Sequence, residues 1–144
     1  MSTSATIRLP HTQQVLVQTD GMPTHILPVL AKIYKDGNVS ADGFIQEYLN
    51  TYSDQVRDGV RERITTDIHS YLDHGGDWEY DIDLSGQLTV SCYELWVDRC
   101  EGVSPYIYID RLMDEYKQEN KEIISLSIQQ LSNSGVTLVF ESNR

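Results

Sequence analysis

Cationic residues are scarce in this chain, and scarcest where its acids are densest. Eleven Lys and Arg stand against 22 Asp and Glu, a formal charge of -11. Between 73 and 101, eight acids meet the single Arg99. Such a segment repels nucleic acid, whose binding draws on Lys and Arg neutralising phosphates, and attracts basic protein surfaces. Cysteine is limited to Cys92 and Cys100, without CxxC spacing. That excludes a disulfide framework and reads as two reduced packing thiols in a cytosolic protein. No window approaches the apolar length of a membrane span. Met1-Ser2-Thr3-Ser4 leads straight into a strand-like segment without a basic n-region, so no secretory signal is expected and the location expected is the cytoplasm. GxSxG, P-loop and HExxH patterns are missing, which takes away the usual nucleophile, phosphate cradle and zinc site.

What is present suffices for one folded domain spanning 1–144. The chain has 144 residues, 40% of them hydrophobic, enough for a sizeable core. Ala5 to Leu9 and Gln14 to Thr19 are β-prone runs around Pro10-His11-Thr12, a hairpin pattern. Asp20-Gly21-Met22-Pro23 breaks the second strand. A helix follows with Ile26, Leu27, Leu30, Ile33 and Tyr34 on one stripe, and Pro28 is expected in its first turn. Ser40 suits the N-cap of a second helix carrying Phe44, Ile45, Tyr48, Leu49 and Tyr52 inward. Val56, Val60, Ile64, Ile68 and Leu72 keep helical spacing for a third, whose outer face of acid–base pairs is a solvated surface. Ser85-Gly86 reads as a tight turn to a partner strand over Leu88 to Tyr93. Ile109, Leu112, Met113, Tyr116, Ile123, Ile124, Ile128 and Leu131 hold helical spacing before Asn133-Ser134-Gly135 and a last strand, Val136 to Phe140. The order ββ–ααα–ββ–α–β predicts an α+β fold, with a mostly antiparallel sheet and helices on one face.

The most informative stretch runs from His74 to Leu84. From Asp77 it alternates strictly: Asp77, Glu79, Asp81 and Asp83 on one parity, Trp78, Tyr80, Ile82 and Leu84 on the other. A strand sends these sets to opposite faces. Four carboxylates in a row at about 7 Å pitch approach the spacing of phosphates along a nucleic-acid strand. An ordinary water-facing strand, protected against edge pairing, explains the row too. Solvent faces usually mix charges, however, because like charges in a row repel. The apolar parity is expected to be buried under the long helix over Ile109 to Leu131. Ala at Glu79 or Asp81 is then expected to leave stability unchanged or slightly higher.

Two motifs resemble those of a group of small phage and prophage proteins, in which a DGYP-like turn precedes a helix and an HGD-x-EY-like strand follows later. Here they are Asp20-Gly21-Met22-Pro23 and His74-Gly75-Gly76-Asp77-Trp78-Glu79-Tyr80, with Met22 in place of an aromatic and one extra Gly in the second. The resemblance implies an α+β fold and a mobile-element context. It supplies no catalytic residue.

Three function classes follow. The first is a non-catalytic acidic protein docking on a basic, nucleic-acid-binding host protein through Asp77, Glu79, Asp81 and Asp83, extended by Glu94, Trp96, Asp98 and Glu101. With the phage-like resemblance, its concrete form is an inhibitor of a defence nuclease or CRISPR effector by nucleic-acid mimicry. The second is a sponge for a small nucleotide signal, for which Arg8, Arg99 and Arg111 with Tyr106 and Tyr108 are the available phosphate and base contacts. The third is a metal-dependent enzyme on His69, Asp73, His74 and Asp77, the one metal-like cluster in the sequence. No cofactor, no direct nucleic acid and no membrane are expected, and a homodimer is left open.

Overall fold

The structure, a computed structural model, describes residues 4–17, 21–52, 64–65, 78–92 and 118–142. They form one α+β domain around a six-stranded sheet. The elements are β1 (Ala5–Leu9), β2 (Gln13–Val17), α1 (Pro23–Asp36), α2 (Ala41–Thr51), β3 (Ile64–Thr65), β4 (Trp78–Ile82), β5 (Gln87–Cys92), α3 (Gln118–Asn133) and β6 (Thr137–Ser142). The strand order is β3-β2-β1-β4-β5-β6. Three of the five pairings are antiparallel, while β1–β4 and β5–β6 run parallel.

One parity of the sheet builds the core. Ala5, Ile7 and Leu9 of β1 lie level with Val17, Val15 and Gln13 of β2, and Ala5 and Ile7 with Trp78 and Tyr80 of β4. All of these except Gln13 are buried, as are Ile82, Leu88 and Val90. Ile26, Leu27, Leu30 and Ile33 of α1, Phe44 and Tyr48 of α2, and Ile124, Ile128 and Leu131 of α3 share that one cluster. The described helices therefore cover the same face. The Tyr80 hydroxyl donates to the Gly21 carbonyl at 2.8 Å, tying the sheet to the entry of α1. A Cβ on Gly21 would stand 2.6 Å from the Ala5 Cβ, so this turn can only approach β1 without a side chain.

Four local expectations are corrected. Pro28 lies in the second turn of α1, because Pro23 already occupies the helix start, where its missing N–H is harmless. Pro28 leaves the Thr24 carbonyl without its helical donor, and the next carbonyl, His25, accepts the Tyr52 hydroxyl at 2.6 Å. Ile64 is not on a helix: Ile64–Thr65 pairs antiparallel with Val17 and Leu16 of β2. The β-branched Ile64 and Thr65 take an extended form beside the open edge of β2, and that pairing outweighs the four-residue spacing. The rest of that expected helix lies outside the described residues.

Leu84, expected under the core, is 76% exposed. The strand ends at Ile82 and Asp83 starts the turn, so strand parity no longer governs Leu84. Ile123, placed on the inward stripe, is exposed at 43%. The buried face of α3 is Ile124, Ser127, Ile128 and Leu131, with Ser127 Oγ donating back to the Ile123 carbonyl. Residues 109–117 of the expected long helix lie outside the described residues. Ser40 caps α2 as expected, its Oγ accepting from Gly43 N at 2.9 Å.

Candidate functional site

The parallel pairing of β1 with β4 brings two turns distant in sequence to one end of the sheet. Both strands run in the same direction, so the Pro10–Thr12 turn and the Asp83–Gly86 turn leave the sheet side by side. Between them lies a groove of about 650 Å³, floored by Leu9, Pro10 and Ile82 and edged by Arg8, Asp81, Asp83 and Leu84. That volume falls within the usual range of ligand-sized clefts.

The strand alternation places Glu79 and Asp81 on the parity opposite the core, yet they meet different surroundings. Glu79 lies level with Thr6 on β1 and Ser91 on β5, both buried. Arg8 on β1 is level with Asp81 but reaches diagonally to Glu79, Nη1 to Oε1 at 3.0 Å. The side chains are 34% and 15% exposed respectively. The expected row of uncompensated carboxylates is thus interrupted by a cation from the neighbouring strand. Leu16, also on this parity, is buried outside the main cluster, so the second face is not simply a solvent face.

Asp81 remains exposed. Asp83 has left the strand and organises the turn: its Oδ1 accepts from Ser85 N at 2.9 Å, Ser85 Oγ at 2.6 Å and Gln87 N at 3.0 Å. The Ser85 hydroxyl above all, then the Gln87 N–H, hold its carboxyl below the ordinary aspartate value. Asp83 is therefore a fixed anion at neutral pH. Its charge reaches Tyr34 on α1, whose phenol is pushed upward first by burial and then by Asp83. Asp77, Glu94, Trp96, Asp98 and Glu101 lie outside the described residues.

The opposite wall holds what sequence reasoning missed. His11 and Thr12 take left-handed backbone conformations, φ 65° and 64°, without being glycine. For β-branched Thr12 this is a strained conformation. The Thr12 hydroxyl donates to the His11 carbonyl at 2.6 Å. Pro10-His11-Thr12 was legible as a turn, but no glycine or asparagine signalled its hand. Gln13 Oε1 accepts from Ala41 N at 2.7 Å, anchoring the wall to the first turn of α2. Gln14 Oε1 is shielded from solvent and has no hydrogen-bond partner among the described residues.

The second set of expected ligand contacts meets the same groove at one point. Arg8 lines it with its charge engaged by Glu79, while Arg99, Tyr106, Tyr108 and Arg111 lie outside the described residues. Among the described residues no group of three or more His, Cys, Asp and Glu could hold a metal ion, and His69, Asp73, His74 and Asp77 lie outside them. No described helix is long and apolar enough to cross a membrane.

Fold and groove define the class: the described residues form an α+β domain with a mixed sheet and a cleft, lined by apolar and charged side chains, at the shared end of two parallel strands. No protein-family model matches the chain, and neither a curated protein nor a solved structure does.

Proposed function

We propose that this is a non-catalytic acidic binding protein that docks on the basic, nucleic-acid-binding surface of a protein partner. The observation that carries the reading is the exposure of Asp81 beside the fixed anion Asp83 at one end of the sheet, in a chain of formal charge -11. Arg8, the cation of the same rim, is engaged by Glu79, so the local field is negative. Asp77, Glu94, Trp96, Asp98 and Glu101 extend this surface in the reading. The resemblance to phage and prophage proteins makes the concrete form an inhibitor of a host defence nuclease or CRISPR effector. It would act in the host cytoplasm by occupying the nucleic-acid path.

The nucleotide-sponge reading draws less support. A phosphate entering the groove would meet Asp81 and Asp83, and the one arginine among the lining residues, Arg8, already has its charge offset by Glu79. The test is retention of the purified protein on immobilised basic nucleic-acid-binding proteins at low salt, with elution by competing nucleic acid. Charge-driven docking weakens steeply as salt rises. Retention that ignores both salt and competitor would remove the reading.

A further inference from the structure

We propose that the groove between the Pro10–Thr12 and Asp83–Gly86 turns is the anchoring point of that docking, and that it receives an arginine-bearing segment of the partner. The inference rests on the docking reading above and adds a place and a chemistry to it. Long-range attraction needs only negative charge anywhere on the surface. The groove adds shape and an apolar floor. Pro10 and Leu84 give it accessible apolar surface, Leu84 standing 76% exposed, above the buried Leu9 and Ile82. A single exposed leucine is ordinary on a protein surface, but this one lines the same groove as Pro10, so its apolar area adds to that of the groove. Asp83 cannot turn away, since three donors fix its Oδ1, and Asp81 stands exposed on the same rim.

This combination selects among ligands. A purely apolar segment would leave two carboxylates to be desolvated without compensation. An acidic or phosphorylated segment would be repelled. A long side chain with an aliphatic stem and a cationic head satisfies both parts, the stem on the apolar floor and the head at the rim. Guanidinium suits the rim better than ammonium, because its planar fork can serve two acceptors at once and it is less strongly hydrated. The groove is also wider than one side chain needs, so residues flanking the arginine have room.

The probe is a fluorescent peptide with two arginines flanking a leucine in a glycine–serine background. Its counterpart carries citrulline, which keeps the shape and removes the charge. Binding is read by anisotropy against wild type, Asp81→Asn, Leu84→Ser and Glu122→Gln. The last removes one exposed negative charge on α3, outside the groove. The expected result is binding of the arginine peptide only, weakened about tenfold by Asp81→Asn and several-fold by Leu84→Ser. Glu122→Gln should change it by less than about twofold, as befits a distant screened charge. Both groove positions are exposed, so the variants fold. Equal weakening by Asp81→Asn and Glu122→Gln, or no effect of Leu84→Ser, overturns the groove. Failure of wild type to bind the peptide overturns it as well. If retention on basic proteins by the nucleic-acid-competed test persists in either case, only the groove falls; if that too is lost, the docking reading falls with it.

Discussion

Thr12 holds a left-handed backbone, φ 64°, that its branched Cβ disfavours. Glycine at this position should stabilise the protein by about 1 kcal/mol, the steric cost of such a residue in that conformation. Urea denaturation would read the shift. The Arg8–Glu79 pair changes what is expected of the acidic strand. Glu79→Ala removes the partner of a partly exposed Arg8 and should cost about 0.5–1 kcal/mol. Asp81→Ala should lie within about 0.5 kcal/mol of wild type. Equal effects from the two would mean that the cross-strand ion pair contributes nothing.

Asp83 at the turn and Tyr34 on α1 give a pH signature with two opposite limbs. Tyr34 is raised above the ordinary tyrosine value of about 10 by burial first and then by Asp83. Its contribution is fully present below that ordinary value and is lost as pH rises through the folded value. Asp83 is lowered by its donors, so its contribution is present above the unfolded value and is lost as pH falls through the folded one. Tyr34→Phe should flatten the alkaline limb of a stability–pH curve. Asp83→Asn should flatten the acid limb and, by removing a nearby negative charge, lower the Tyr34 titration midpoint seen by ultraviolet absorbance.

At the scale of elements, β4 is held between β1 and β5, and its apolar parity carries most of its burial. Trp78 and Tyr80 are fully buried and Ile82 nearly so. Tyr80→Ala should cost roughly 3–5 kcal/mol and Ile82→Ala roughly 2–5 kcal/mol, while the neighbouring Leu84→Ala should change stability by less than about 0.5 kcal/mol. The β4–β5 turn depends on Gly86. It sits at φ 90°, donates to the Asp83 carbonyl at 3.1 Å and accepts from Thr137 N at 2.9 Å. A Cβ there would come within 2.7 Å of the Gly135 carbonyl oxygen. Gly86→Ala therefore strains the hairpin and the α3–β6 connection together, and should cost about 1–3 kcal/mol, measurable by denaturant unfolding.

At the scale of the whole sheet, the described residues combine two parallel and three antiparallel pairings, and the site follows from that mixture. Were β1 and β4 antiparallel, the Pro10–Thr12 and Asp83–Gly86 turns would leave opposite ends of the sheet and no groove would form between them. Their parallel register aligns Ile7 with Tyr80 and Arg8 with Asp81. It also sets a cation into an acidic row. Binding by this protein should consequently depend on salt through its overall charge and on position through the groove, two dependences that the variants above separate.

Local order was legible in the chain because period and punctuation are local. Alternation buried Trp78, Tyr80 and Ile82, a serine before a helical stripe capped α2, and Ser85-Gly86 closed the hairpin. The α+β class followed from the succession of those elements. Pro28, Ile64 and Leu84 escaped it. Each was decided by a neighbour in space or by where an element ends: the helix start taken by Pro23, the open edge of β2, the end of β4 at Ile82. The groove escaped it entirely. Its two walls lie some seventy residues apart, and strand pairing is a long-range interaction that no window of sequence contains. The sequence by itself determined how much negative charge this protein carries and which parity of β4 would be buried. Only the tertiary structure decided that Arg8 would neutralise Glu79 and that two turns would enclose a cleft, because both depend on which strand lies beside β4 and in which direction it runs.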